Sequence, residues 1–318
     1  MRFADSLPVV FVISVGLMIA SCGKSPVEAT GQEVGQTESH RVLPKPDPVS
    51  SYFMWTPEEQ LIGYRNIDKI FDTRLVRAGS NPRPIAIAET PLSVSFDFEG
   101  EMLDETTFME RNNVVGLLVI KDDEIVLESY RQNYDAEQRW ISFSMAKSFS
   151  TTLVGAAVKD GAIKSVDDLL TEYLPALADT AYDGITVEQL LTMTTGAEWN
   201  EDYADSESDV ARIKVEPSID GSDPVVAYMA RKQREASPGT RFQYNTGETH
   251  LVGSLLHAAT GKYLADYLSE KIWIPYGMEL DANWMLTKGG IEQAGCCLSV
   301  SLRDFGRFAM FFMNGAEI

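Results

Sequence analysis

Apolar positions recur at two periods along this chain, and the change of period marks its elements. Leu61, Ile62, Ile67 and Ile70 fall at helical spacing behind Thr56-Pro57-Glu58-Glu59. There a capping hydroxyl, a first-turn proline and two acids favour a helix start. Val114 to Ile120 and Ile125 to Tyr130 are β-rich runs around Lys121-Asp122-Asp123-Glu124 and predict a hairpin. From Ser144 to about Gly261 the pattern turns helical, with segments near 144–160, 166–174, 187–193, 223–235 and 247–259. Gly161, Pro175, Gly196 and Pro238-Gly239 separate them, and Thr186-Val187-Glu188-Gln189 is a capping box. A last helix is expected from Ser301, with Asp304 three residues on, to Gly315. Sheet, inserted helices and a return predict an α+β fold: an antiparallel sheet with flanking helices and a helical lobe over about 150–275.

Composition narrows the classes of function. The 318 residues are 44% hydrophobic, enough to bury a core. A net charge of -20 argues against nucleic acid or anionic lipid as a partner, and reads as a solubilising surface. Three cysteines and three histidines are too few for a Cys/His zinc site, so no metal and no cofactor is expected.

The N-terminus has the marks of export. After Arg2, Leu7 to Ala20 is an apolar run too short for a comfortable membrane span, and it ends in Ile19-Ala20-Ser21-Cys22. That ending resembles a bacterial lipobox, which implies a signal peptide over 1–21, cleavage before Cys22 and lipidation of its thiol. The other reading is an ordinary signal peptide with Cys22 incidental. Residues 22–50 are rich in Gly, Ser, Pro, Thr, Glu and Gln and read as a disordered linker to a domain over 51–318. Gly23 stands where an aspartate would favour inner-membrane retention, so the resemblance implies an outer-membrane anchor facing the periplasm.

The candidate chemistry begins at Ser144-Met145-Ala146-Lys147, where the hairpin region gives way to a helix. At i and i+3 the hydroxyl and the ammonium share one helix face. A partly desolvated lysine can take the serine proton, and a helix N-terminus offers N–H groups to an oxyanion. About one such Ser-x-x-Lys is expected by chance in this composition, so its context matters. Trp140-Ile141-Ser142-Phe143 before it and Ser148-Phe149-Ser150-Thr151-Thr152 after it surround Lys147 with apolar and small residues. About a hundred residues on stands Phe242-Gln243-Tyr244-Asn245-Thr246-Gly247, followed by Leu251-Val252-Gly253.

These two blocks, with Gln189-Leu190-Leu191-Thr192-Met193-Thr194-Thr195-Gly196 between them, carry a resemblance. The chain resembles the superfamily of class C β-lactamases, penicillin-binding carboxypeptidases and related esterases. Trp199-Asn200-Glu201-Asp202-Tyr203 and Tyr64-Arg65-Asn66-Ile67-Asp68 are most similar to its 6-aminohexanoate-dimer hydrolase branch. The resemblance implies a β-lactamase/transpeptidase-like fold with Ser144 as the acylated nucleophile, Lys147 as its base and Tyr244 as the proton relay. It implies further that Tyr203 reaches over the pocket toward a substrate amide. One position departs from the pattern. Thr246 stands where β-lactamases carry the asparagine that binds the lactam's acylamino group, with Asn245 in the position between. A hydroxyl cannot offer the same paired donor and acceptor.

The expected function is an exported serine hydrolase cleaving carboxylic esters or linear amides through an acyl-enzyme on Ser144. The alternatives are a non-catalytic penicillin-binding-like lipoprotein that holds peptide or cell-wall fragments, or a weak β-lactamase. Other candidates are set aside: His257 reads as a boundary residue, His250 as facing the helix surface, and His40 as part of the linker. Adjacent Cys296 and Cys297 read as small buried residues not linked to each other. Lys288-Gly289-Gly290 comes too soon to be the family's third motif, and no G-x-S-x-G elbow is present. The C-terminal strands that complete the family's sheet are expected to be missing after Ile318. That predicts a fragment of a longer hydrolase, with an unpaired sheet edge beside Ser144.

Overall fold

The computed structural model describes residues 10–16, as backbone, and 52–317; Cys22, His40 and the expected linker lie outside the described residues. The described strands are β1 (Val10–Gly16), β2 (Thr73–Val76), β3 (Ala86–Ile87), β4 (Ser95–Phe98), β5 (Glu101–Asp104), β6 (Val114–Lys121), β7 (Glu124–Tyr130), β8 (Arg139–Ile141), β9 (Ala282–Met285) and β10 (Leu298–Ser301). They form three sheets, ordered β1-β6-β7-β3, β2-β9-β10-β8 and β4-β5. The helices are α1 (Pro57–Gly63), α2 (Ile67–Ile70), α3 (Glu105–Arg111), α4 (Ala146–Lys159), α5 (Leu170–Tyr173), α6 (Val187–Leu191), α7 (Asp209–Arg212), α8 (Pro224–Met229), α9 (Thr246–Thr260), α10 (Leu264–Leu268) and α11 (Leu302–Met313).

The expected hairpin is β6–β7. Asp122 and Asp123 both take positive φ, 52° and 64°, as a tight two-residue turn between right-twisted strands requires. β6 is buried on both faces. Met109 of α3 joins Val114, Leu117, Val119 and Leu127 on one side, while α11 covers Leu118 and Ile120 on the other. The approach of α11 needs Gly306, where a Cβ would come within 2.8 Å of Ile120 and 2.9 Å of Leu118.

β6 has a strand partner on each side. Val10–Gly16, assigned from sequence to the leader, pairs antiparallel with β6 from Val10↔Lys121 to Gly16↔Val114. An apolar strand presenting unpaired N–H and C=O groups is a template for any β-competent segment, and Val10–Gly16 supplies one. No further strand pairs with β1 among the described residues.

The second sheet was not foreseen, and it positions the site. β10 pairs with β8 through Ser299↔Ile141, and β9 pairs with both β10 and β2. In the helical lobe, α5 and α8 are shorter than their apolar patterns suggested. Beyond Met229 the chain leaves α8; there Glu198 N–H donates to the Gln233 carbonyl at 2.9 Å, and Gln233 N–H donates to the Glu198 carboxylate at 3.1 Å. α9 runs through the centre of the lobe with Thr246 to Leu256 all buried, and closes on Gly261 at φ 69°. Phe149 of α4 stacks on Phe308 of α11 at 3.7 Å, tying the lobe to the sheet.

Candidate active site

β8 delivers the chain to the site. Ser142 N–H donates to the Leu298 carbonyl at 2.8 Å, and its hydroxyl accepts from Leu298 N–H at 3.0 Å, so β10 fixes the approach. Phe143 then takes φ 47°, a left-handed conformation that is strained for an aromatic residue and persists only where its surroundings impose it. Ser144 lies in the 3-10 turn Phe143–Met145, immediately before α4, rather than inside a regular helix as the spacing suggested.

Lys147 still reaches it. The Lys147 ammonium donates to Ser144 Oγ at 3.2 Å, to Thr246 Oγ1 at 3.1 Å and to the Gly295 carbonyl at 2.7 Å. Three acceptors match its three N–H bonds. Burial pushes the Lys147 pKa below the ordinary lysine value, while Tyr244 and the Glu201 carboxylate pull it back up. Tyr244 leads into α9 at the cleft rim, 42% exposed, with its ring centroid 5.0 Å from the Lys147 nitrogen. Tyr244, about a hundred residues on in sequence, is thus brought to the Ser144–Lys147 pair. Asn245 turns away: its side chain caps α9 by accepting from Glu248 N–H at 3.0 Å.

Tyr203 lines the same narrow cleft as Ser144. Its hydroxyl donates to Glu201 Oε1 at 2.6 Å, and its ring meets Phe53 edge-on at 4.7 Å. Glu201 is a site residue that the sequence reading used only as part of a motif. Its carboxylate also accepts from Thr246 N–H at 3.0 Å, from the Thr246 hydroxyl and from Trp199 Nε1. Thr246 therefore bridges Glu201 and Lys147, and its hydroxyl is occupied.

Two expectations are corrected here. His250 does not face the surface; it is buried beneath the cleft, where Gly295 N–H donates to its Nδ1 at 3.3 Å. Burial, with Lys147 and Lys214 nearby, holds His250 neutral, its pKa lowered to about 3. The tertiary return of Gly295 over α9 buries it, which a helical period cannot reveal. Cys296 and Cys297 are buried as expected, but they are joined by a disulfide. A backbone turn with Cys297 at φ 72° brings the neighbouring sulfurs together. Lys288 and the two glycines after it lie outside this cleft. Among the described residues no cluster of His, Cys, Asp or Glu is placed to hold a metal. A wider depression near Arg65, Asp68 and Arg139 contains no nucleophile beside a base.

The beta-lactamase family model matches residues 104–282, more than half of the chain, and takes in Ser144, Lys147, Tyr203 and Tyr244. The chain belongs to the beta-lactamase family. A 6-aminohexanoate-dimer hydrolase from Paenarthrobacter ureafaciens is 29% identical over 211 residues, covering 65% of this chain and 54% of that protein. A beta-lactamase from Pseudomonas fluorescens is 24% identical over 164 residues, covering 50% of this chain and 42% of that protein. The chain thus spans about half the length of the curated relatives it matches. In structure it resembles a Bacillus anthracis protein provisionally named a 6-aminohexanoate-dimer hydrolase, with a TM-score of 0.69 at 22% identity, over 89% of this chain and 74% of that one. That likeness shows the β-lactamase/transpeptidase-like fold. The curated relatives matched here are thus an amide hydrolase and beta-lactamases.

Proposed function

We propose that this chain carries the acylation machinery of an exported serine hydrolase that cleaves carboxylic esters or linear amides. The observation that carries this reading is the contact between Lys147 Nζ and Ser144 Oγ beneath the Tyr244 ring. In its neutral form Lys147 takes the Ser144 proton while Oγ bonds to the substrate carbonyl carbon. Tyr244 passes a proton to the departing alkoxide or amine as the carbon–heteroatom bond breaks, leaving an ester on Ser144. Water, activated by the same groups in reverse, then releases the acid. The occupied Thr246 hydroxyl favours simple esters and linear amides over lactams bearing an acylamino group. The 6-aminohexanoate-dimer hydrolase relative supports the linear-amide side of the reading. The lipobox-like ending at Cys22 supports a lipid anchor, which we place in the outer membrane, facing the periplasm.

A fluorophosphonate probe should label the protein on Ser144, and Ser144→Ala should abolish the label. Because nucleophile and base act as a unit, Lys147→Ala should lose nearly as much turnover as Ser144→Ala. An adduct mapped to Ser142 or Ser148 would overturn the assignment. A panel of p-nitrophenyl esters, nitrocefin and aminohexanoate oligomers separates esterase, β-lactamase and amide hydrolase. Anchoring is read separately: with its own leader in a Gram-negative host, the protein should take up labelled palmitate, and Cys22→Ser should not.

A further inference from the structure

The cleft contains a second lysine that the acylation steps do not use. Lys214 follows α7 in the 3-10 turn Ile213–Val215 and lines the cleft beside Ser144, Tyr203 and Thr246. Its nitrogen sits 5.3 Å from the Tyr52 ring centroid. Among the described residues no carboxylate pairs with it and no hydrogen bond holds its ammonium. Glu201 is near enough to act on it electrostatically, but both Glu201 oxygens are already taken by Thr246, Tyr203 and Trp199.

An ammonium held in a narrow cleft without a counter-ion is costly, because desolvation disfavours its charge. The chain has 47 acidic residues, yet among the described ones none pairs with Lys214. Burial lowers the Lys214 pKa to about 8, so the group is still mostly protonated at neutral pH. Such a charge is stabilised when an anion enters the cleft. A single ammonium with no arginine fork beside it suits one carboxylate better than a phosphate, which calls for several donors.

We propose that Lys214 is a specificity determinant, selecting ester or amide substrates that carry a carboxylate to be held beside the Ser144 nucleophile. This rests on the hydrolase reading above. The test compares matched ester pairs, with the charge on either side of the scissile bond: mono-p-nitrophenyl adipate against p-nitrophenyl hexanoate, and 4-carboxyphenyl hexanoate against phenyl hexanoate. In at least one pair, the wild-type kcat/KM for the carboxylate ester should exceed that for its neutral partner by about tenfold or more. Lys214→Met should reduce that ratio at least tenfold, chiefly through KM. Lys214→Arg should keep it, and Lys214→Glu should turn the preference toward p-nitrophenyl 6-aminohexanoate. Where turnover is too slow to follow, free adipate should protect Ser144 from a fluorophosphonate in the wild type but not in Lys214→Met. Neutral esters turned over with a ratio that Lys214→Met leaves unchanged, or labelling that adipate never slows, would overturn the carboxylate inference alone. A wild type that neither turns over an ester nor takes the probe on Ser144 would overturn the hydrolase reading and this inference with it.

Discussion

In the proposed mechanism Lys147 is a base only when neutral, so its surroundings would set the pH at which the site turns on. Burial lowers its pKa, and the Glu201 charge raises it again. Glu201→Gln removes that charge, so the rising limb of kcat/KM should move to lower pH. A pH–rate profile reads this directly, and a limb that stays put or moves upward would sink the assignment. Gly295 sets the position of the same lysine through its carbonyl, 2.7 Å from Nζ. A Cβ at Gly295 would lie 2.9 Å from Thr246 Cγ2 and 3.0 Å from the Thr246 carbonyl. Gly295→Ala should therefore push the carbonyl off Lys147 and lower kcat, on the order of 10- to 100-fold for a sub-ångström to one-ångström displacement. Fluorophosphonate labelling rates measure the same loss at the acylation step.

Among the elements, α9 joins the catalytic loop to the lobe through a buried acid. Glu248 in its first turn accepts from the Thr195 hydroxyl and, at 3.3 Å, from Asn245 Nδ2. Burial pushes its pKa up from 4.5 to about 8. Below about pH 4.5 both the folded and unfolded chains are protonated there, and Glu248 contributes no pH dependence. Between 4.5 and about 8 the unfolded chain releases that proton while the folded chain keeps it, so stability falls as pH rises. Above about 8 the cost is constant. Glu248→Gln removes the titration, so its unfolding free energy relative to the wild type should rise from pH 4.5 to 8, on the order of a few kcal/mol, as denaturant titrations at the two pH values read. A difference that does not change with pH would refute the protonated carboxyl. Local signals made α1, α6, α9 and α11 legible, because each start is written in a cap: Thr56, Thr186, Asn245 and Ser301 all accept from N–H groups in their own first turns. α5 and α8 were overestimated because their apolar residues face tertiary neighbours beyond the helix ends.

At the scale of the molecule, one segment has two incompatible roles. Val10–Gly16 pairs with β6 in the structure, while the expected leader cleavage before Cys22 would remove it. A form lacking residues 1–21 should leave one side of β6 without strand partners. Its amides over 114–121 should then exchange with solvent faster than in the longer form, by tenfold or more for those bonded to β1. Equal exchange in the two forms would mean that β1 does not hold that edge in solution.

What the sequence determined by itself was local or periodic. The β6–β7 hairpin, the capped helices and the Ser144–Lys147 pairing follow from neighbours within a turn or two, whose geometry the backbone dictates. Tyr244 was reachable through its resemblance to a family motif. Only the tertiary structure assembled the rest. β2, β8, β9 and β10 are each four residues or fewer, and their pairing links positions from 73 to 301, so no local pattern announces the sheet. Glu201, His250, Gly295 and Lys214 look like ordinary loop and helix residues in one dimension. Their roles come from desolvation and from partners across the fold. A carboxylate acquires four donors, a histidine is kept neutral and a lysine is left, among the described residues, without a counter-ion only once distant segments close over one another.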